Sequence, residues 1–204
     1  MKENRLPVIT INREYGAGGR SLAEILSDKL GIPYYDREFV SKTVEESGYD
    51  VEDVEREGEE MSRPSKVLNN ILNSTVSYSS SHDAIFSAEK KVILELADKP
   101  CIMVGRCADY ILGQAGIDTV SVFLHAPIEN RMERLKQREG ETGELSEKFV
   151  EERDKQRKTF YKQYTGREIF DAANYTFSFD VSRIDISDCA DIILDLLKKS
   201  EKDN

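Results

Sequence analysis

Cysteine is scarce in this 204-residue chain, three in all (Cys101, Cys107 and Cys189), and no two stand at CxxC or His-paired spacing. So sparse and odd a set argues against a disulfide framework or a zinc site and fits a reducing compartment. Histidine is scarcer still: His82 and His125 are too isolated to propose a catalytic imidazole or a metal ligand, and His125 follows an apolar strand, where a structural role is commoner. A long apolar run is also missing. Lys2, Glu3 and Arg5 open the chain without one behind them, which predicts neither a secretory signal nor a membrane span and places the protein in the cytoplasm. Nor is there a basic excess. With 29 Lys and Arg against 39 Asp and Glu the formal net charge is −10, which argues against a general nucleic-acid or anionic-membrane binder but leaves room for a local basic pocket around a small ligand. No internal repeat is visible. The length suits one α/β domain with a sizeable core and a small insert.

What the chain does have is concentrated near its start. Val8 to Ile11 is a short β-rich run that passes into Asn12-Arg13-Glu14-Tyr15-Gly16-Ala17-Gly18-Gly19-Arg20-Ser21, after which Leu22, Ile25, Leu26 and Leu30 recur at helical spacing until Gly31. A strand, a glycine-rich turn and a helix in that order read as a phosphate-binding loop. Glycines let backbone N–H groups converge on a phosphate, and the helix presents its positive end to the same anion. The pattern GxxxxGK[ST] asks for a lysine, and Gly19 stands there instead, ahead of Arg20.

Further along, Ile32 to Tyr35 predicts a second strand and Asp36 an N-cap for a helix containing Phe39, Val40, Thr43 and Val44 that ends near Gly48. Residues 49–83, acidic and then serine-rich, read as a mobile, mainly helical insert. Apolar spacing predicts a helix from about Asp83 to Asp98, and Cys101 to Val104 suits a central parallel strand with Gly105-Arg106 at its carboxyl end. Thr119 to Leu124 predicts another strand, Pro127 opens a basic helix, Gly140 to Gly143 interrupt it, and a charged helix runs from about Ser146 to Tyr164. Tyr175 to Phe179 is the last expected strand, and Ala190 to Leu197 marks a closing amphipathic helix. Alternating strands and helices predict a parallel sheet covered on both faces.

ITINREYGAGGRSLAEIL, GIPYYDREFV, CIMVGRCADYIL, HAPIENRMERL, ERDKQRKTFYKQYTG and NYTFSFDVSRI together resemble the cytidylate kinase-like family of P-loop nucleoside monophosphate kinases over nearly the whole length. The resemblance implies one α/β P-loop domain over 1–204: a three-layer fold with a five-stranded parallel sheet, a helical monophosphate-binding insert at about 37–83 and a short lid at about 138–160. It implies a small-molecule nucleotide substrate, ATP and Mg²⁺, with phosphoryl transfer to CMP or a related monophosphate. On this mapping Gly16, Ala17, Gly18, Gly19 and Arg20 wrap the donor phosphates, and the Ser21 hydroxyl falls where a Mg²⁺ ligand sits. Asp36 matches the acidic residue that opens the acceptor segment, and Arg106 the arginine of a GRD turn that grips the acceptor phosphate. Cys107 stands where that turn has Asp, and Val104 where an acidic residue precedes it. Losing one close cation costs roughly 3–4 kcal/mol of transition-state stabilisation, which Arg13 or Arg20 could restore.

Structural readings stand beside these. Arg20 is either a solvent-facing first-turn residue or a phosphate ligand, the latter explaining a cation placed against the helix dipole. Arg13 is either an ordinary loop arginine or a phosphate ligand. Asp36 can cap its helix and contact acceptor at once, and Asp109 either orients Arg106 or caps the helix before Leu112. Arg131, Arg134, Arg153 and Arg157 are lid candidates among many helix-surface charges, with Arg157 foremost and Arg20, Arg106 and Arg157 the catalytic set. Tyr161 and Tyr164, three apart, pack or stack on a base. Three rivals remain open: a nucleotide sensor without turnover, a kinase for another small acceptor, and a non-binding structural protein. A homodimer is left open as well.

Overall fold

Six residues, Val8–Arg13, form the central strand β1, buried along its whole length, and the rest of the chain is arranged about it. In the computed structural model, residues 6–36, 38–48, 77–139 and 145–202 are described. Most of the expected insert (49–76) and the glycines expected to interrupt the basic helix (Gly140 and Gly143) lie outside the described residues. After β1 come α1 (Gly19–Leu30), β2 (Tyr34–Tyr35), α2 (Glu38–Ser47), α3 (Ser77–Leu96), β3 (Ile102–Val104), α4 (Ala108–Gln114) and β4 (Thr119–His125). Then follow α5 (Ile128–Glu139), α6 (Glu147–Thr165), a 3₁₀ turn (Ala172–Asn174), β5 (Phe177–Asp180) and α7 (Ile186–Lys202). The five strands lie in the order β2-β3-β1-β4-β5 and every pairing is parallel. This is an α/β P-loop fold, as expected.

Strand periodicity divides the core in two. Ile9 and Ile11 of β1, Ile102 and Val104 of β3, and Val122 and Leu124 of β4 face Leu22 and Leu26 of α1 and Ile193 of α7. Val8, Met103 and Phe123 face the other way, against Ile93 of α3, Ile111 and Leu112 of α4, and Phe160 and Tyr161 of α6. In register, Ile11 pairs with Val104 and Val122, so β1, β3 and β4 finish close together, and the carboxyl end of the sheet is where their loops meet.

Boundaries depart from the sequence reading in instructive places. Helix α3 begins at Ser77, six residues before the expected start at Asp83, and takes in part of the serine-rich run. Serine has only a modest helix penalty, and further along α3 packs on α2, with the Lys91 ammonium 2.6 Å from the Glu46 carboxylate. Strand β2 is two residues long, because Pro33 lends only its carbonyl to the ladder, accepting from Ile102 N at 2.9 Å. Helix α6 opens as expected, on a Ser146 side chain that accepts from Phe149 N. No described helix is long and apolar enough to cross a membrane.

Candidate functional site

The bend from β1 into α1 is built for unpaired amides. Gly16 and Gly18 hold φ of +81° and +92°, values that L side chains rarely adopt, and they turn the chain sharply enough for α1 to begin at Gly19. Gly18 is the N-cap and offers no side-chain acceptor to the first turn. Among the described residues the amides of Gly18, Gly19, Arg20 and Ser21 find no acceptor, whereas Leu22 N already bonds Gly18 O at 3.0 Å. Four convergent donors at a helix N-terminus, uncapped and at the carboxyl end of the sheet, suit an anion.

Long-range contacts fix that bend from behind. Asp154 of α6 accepts Tyr15 N at 2.7 Å through one oxygen and Arg131 Nη1 at 2.6 Å through the other. Arg131 also donates to Tyr15 O at 3.0 Å and to Ala126 O at 2.9 Å, and Glu14 accepts Ala126 N at 3.0 Å. Arg134 bonds Gly16 O at 3.2 Å and Val181 O at 3.1 Å, and Arg157 reaches Arg13 O at 3.5 Å while its guanidinium lies 5.1 Å from the Tyr15 ring centroid. A Cβ on Gly16 would stand 2.9 Å from Leu135 Cδ1, so α5 is seated directly on the loop. Helices α5 and α6 thus act first as a brace for the loop. Of the four lid candidates, Arg131, Arg134 and Arg157 meet its backbone, and Arg153 lies 5.0 Å over the Phe149 ring.

Two guanidiniums flank one carboxylate beside the nest. Arg20 Nη2 stands 2.9 Å from Asp36 Oδ2, and Arg13 Nη2 stands 3.9 Å from Asp36 Oδ1. Arg20 Nε is buried and has no partner among the described residues. An unfilled donor on a cation, next to unfilled amides, is what an incoming phosphate would satisfy. Among the described residues no cluster of three or more His, Cys, Asp or Glu is placed to hold a metal. The Ser21 hydroxyl is an oxygen donor of the kind a hard cation such as Mg²⁺ takes alongside nucleotide phosphates and water.

Across the sheet end, β3 runs into an unusual turn. Gly105, Arg106 and Cys107 take φ of +77°, +59° and +55° in succession, and the two non-glycine residues each cost about 1–2 kcal/mol of backbone strain. Arg106 is held there by an ion pair with Glu89 of α3, whose side chain is 1% exposed. Next to it, Asp109 accepts from Tyr161 OH at 2.7 Å and from Asn12 Nδ2 at 3.0 Å. Burial pushes the Asp109 carboxyl above the usual range, although those hydrogen bonds oppose the shift. Burial and the neighbouring Asp109 charge raise the Tyr161 hydroxyl too, so it serves as a donor. This network joins β1, α4 and α6, and Tyr164 stacks on Phe86 at 3.8 Å between α6 and α3, which gives both tyrosines packing partners.

Glu14, Glu89 and Asp154 were not singled out as site residues from the sequence. Glu89 left a signal: it falls on the apolar stripe of Ile85, Val92, Ile93 and Leu96, where a charge needs a buried partner. Asp154 bonds Arg131 of the preceding helix, a partner 23 residues away in sequence.

Residues 8–183 match the model of the cytidylate kinase-like family. A cytidylate kinase from Methanopyrus kandleri is 28% identical over 178 residues, covering 86% of this chain and 85% of that protein. A solved structure of an uncharacterized protein from Eubacterium ventriosum superposes with a TM-score of 0.68 at 23% identity, over 96% of this chain and 99% of that one. A shikimate kinase from Acinetobacter baumannii in complex with shikimate superposes at 0.51 and 16% identity, over 96% and 94% respectively, a likeness of fold alone. The chain belongs to the cytidylate kinase-like family.

Proposed function

We propose that the protein transfers the γ-phosphoryl group of ATP to a nucleoside monophosphate, CMP first among them. The observation that carries this reading is the uncapped first turn of α1, four amides without acceptors among the described residues, beside Arg13 and Arg20 and opposite the Gly105-Arg106 turn at the same sheet end. Family membership and the Methanopyrus kandleri relative support the choice of acceptor.

In this mechanism the loop amides and the arginines hold the donor phosphates, and Arg106 grips the acceptor phosphate with Asp36 at the mouth of its segment. The Ser21 hydroxyl, together with the nucleotide phosphates, would hold a Mg²⁺ ion, which when bound would supply neutralising charge. An acceptor phosphate oxygen attacks the γ-phosphorus as the bond to the β–γ bridging oxygen breaks, leaving ADP. That oxygen is already anionic, so no general base is required and rate comes from alignment and charge neutralisation. The buried Glu89 fixes the Arg106 guanidinium before substrate arrives, a form of preorganisation. Arg157, on the brace, reaches Arg13 O at 3.5 Å and adds positive charge behind the loop.

The test is a panel of CMP, dCMP, UMP, AMP and GMP with ATP and Mg²⁺, read as ADP release and as diphosphate product. Saturable transfer to CMP is the expected result; no transfer above background to any of the five would remove this assignment. Gly19 in place of lysine favours a second reading, a nucleotide-binding protein without turnover. ADP affinity by calorimetry together with a silent panel would establish that one.

A further inference from the structure

Gly19 poses a question that its backbone does not answer. It lies in the first turn of α1 and is not among the residues of positive φ, so nothing in its conformation demands glycine. What crowds a side chain there is Arg13: a Cβ on Gly19 would stand 3.0 Å from Arg13 Cδ and 3.1 Å from Arg13 Cγ, closer than an ordinary contact. Position 19 is where the phosphate-loop pattern carries its lysine, and position 13, the last residue of β1, is where that pattern starts with glycine. The chain has exchanged the two. A large cationic side chain leaves position 13 and runs through the space that a stem rooted at position 19 would occupy.

We infer that Arg13 is the cation that replaces the loop lysine, its stem taking the lysine's path and its guanidinium delivered to the donor phosphates, with Gly19 required to make room for it. This deepens the phosphoryl-transfer reading above and rests on it. Two observations point to Arg13. Its side chain is 10% exposed, so its charge is set deeper in the loop than that of Arg20, at 25%. The Arg13 stem also lies against position 19, with Cδ, Cγ and Cβ all within 3.5 Å of where a Cβ there would stand. A guanidinium can also meet two phosphate oxygens at once, where an ammonium acts as a point charge.

The test is a swap in the full-length chain, read by calorimetry with ADP and Mg²⁺ and by kcat for transfer to CMP. Arg13→Met keeps the stem and removes the charge. It is expected to weaken ADP binding about tenfold to a hundredfold and to lower kcat by a further two to three orders of magnitude, roughly the loss of one charged donor. Gly19→Lys alone forces two stems into one space and binds ADP more weakly than the parent. Arg13→Gly combined with Gly19→Lys restores the ordinary pattern and recovers ADP affinity to within about tenfold, a strong positive coupling. The inference is overturned if Arg13→Met binds and turns over like the parent, if Arg20→Ala alone carries the whole loss, or if the folded double variant stays as impaired as Arg13→Gly. Melting midpoints identify variants that fail to fold, and Arg13→Met then decides. A parent chain that binds no ADP removes the phosphate-handling reading and this inference with it; a parent that binds ADP with an inert Arg13 removes the inference alone.

Discussion

Replacing Asp154 by alanine should loosen the phosphate loop from a distance. Its carboxylate accepts Tyr15 N at 2.7 Å and Arg131 Nη1 at 2.6 Å, and both partners of the ion pair are largely buried, at 14% and 7% side-chain exposure. Removing one member of a buried pair costs about 3–5 kcal/mol, because the other charge is left uncompensated. Glu14 remains 3.4 Å from Arg131 Nε and offsets part of that loss, which puts the expected cost near the lower end, about 3 kcal/mol. For a chain of this size that lowers the melting midpoint by roughly 6–12 °C. The same variant should weaken ADP binding, because the amide and carbonyl of Tyr15 lose the frame that sets the amides after them. Thermal and denaturant unfolding measure the first effect and calorimetry the second, with the exposed Glu151→Ala on the same helix as a control expected within about 0.5 kcal/mol of the parent. If Asp154→Ala unfolds and binds ADP like the parent, helices α5 and α6 do not brace the loop and that reasoning fails.

Other consequences are equally direct. Gly18→Ala combines a left-handed backbone strain with overlap on Ile186 Cδ1 and should cost about 2–5 kcal/mol by denaturant unfolding, with ADP affinity reduced. Asp109 has a folded-state pKa above its unfolded value, so it stabilises the fold when protonated and that contribution is lost as pH rises from the usual carboxylate range through the raised value. Asp109→Asn should flatten this part of the stability–pH curve; an unchanged slope would show that Asp109 does not titrate there. Cys101, Cys107 and Cys189 are all buried, and burial pushes the Cys189 thiol up to about 11. A disulfide-exchange reagent at pH 7 should therefore label none of them in the native protein and all of them after unfolding, and rapid native labelling would contradict the burial.

The fold was legible where local pattern and final environment agree. Val8 to Ile11 alternates between the two cores, Gly31 ends α1 in the left-handed conformation expected of it, and Gly48 ends α2 likewise. The glycine turn and its two neighbouring arginines could be read directly, because a nest for anions is a local motif. The brace could not, since Glu14 is more than a hundred residues from Arg131 and Asp154, and those two look like ordinary helix-surface charges until the helices dock. The left-handed Arg106 and Cys107 were hidden for a different reason: residue type argues against that conformation, and the buried Glu89 that pairs with Arg106 lies on another helix, 17 residues away in sequence. The role of Gly19 also needed three dimensions, because it depends on where the Arg13 stem runs.

The most direct measurement is an amide-resolved NMR titration of the protein with ADP and Mg²⁺. The largest shifts should fall on the amides of Gly18, Gly19, Arg20 and Ser21, which have no acceptor in the described structure. Saturable binding whose shifts bypass those four residues, or no binding at all, would contradict the claim that this bend receives the phosphates.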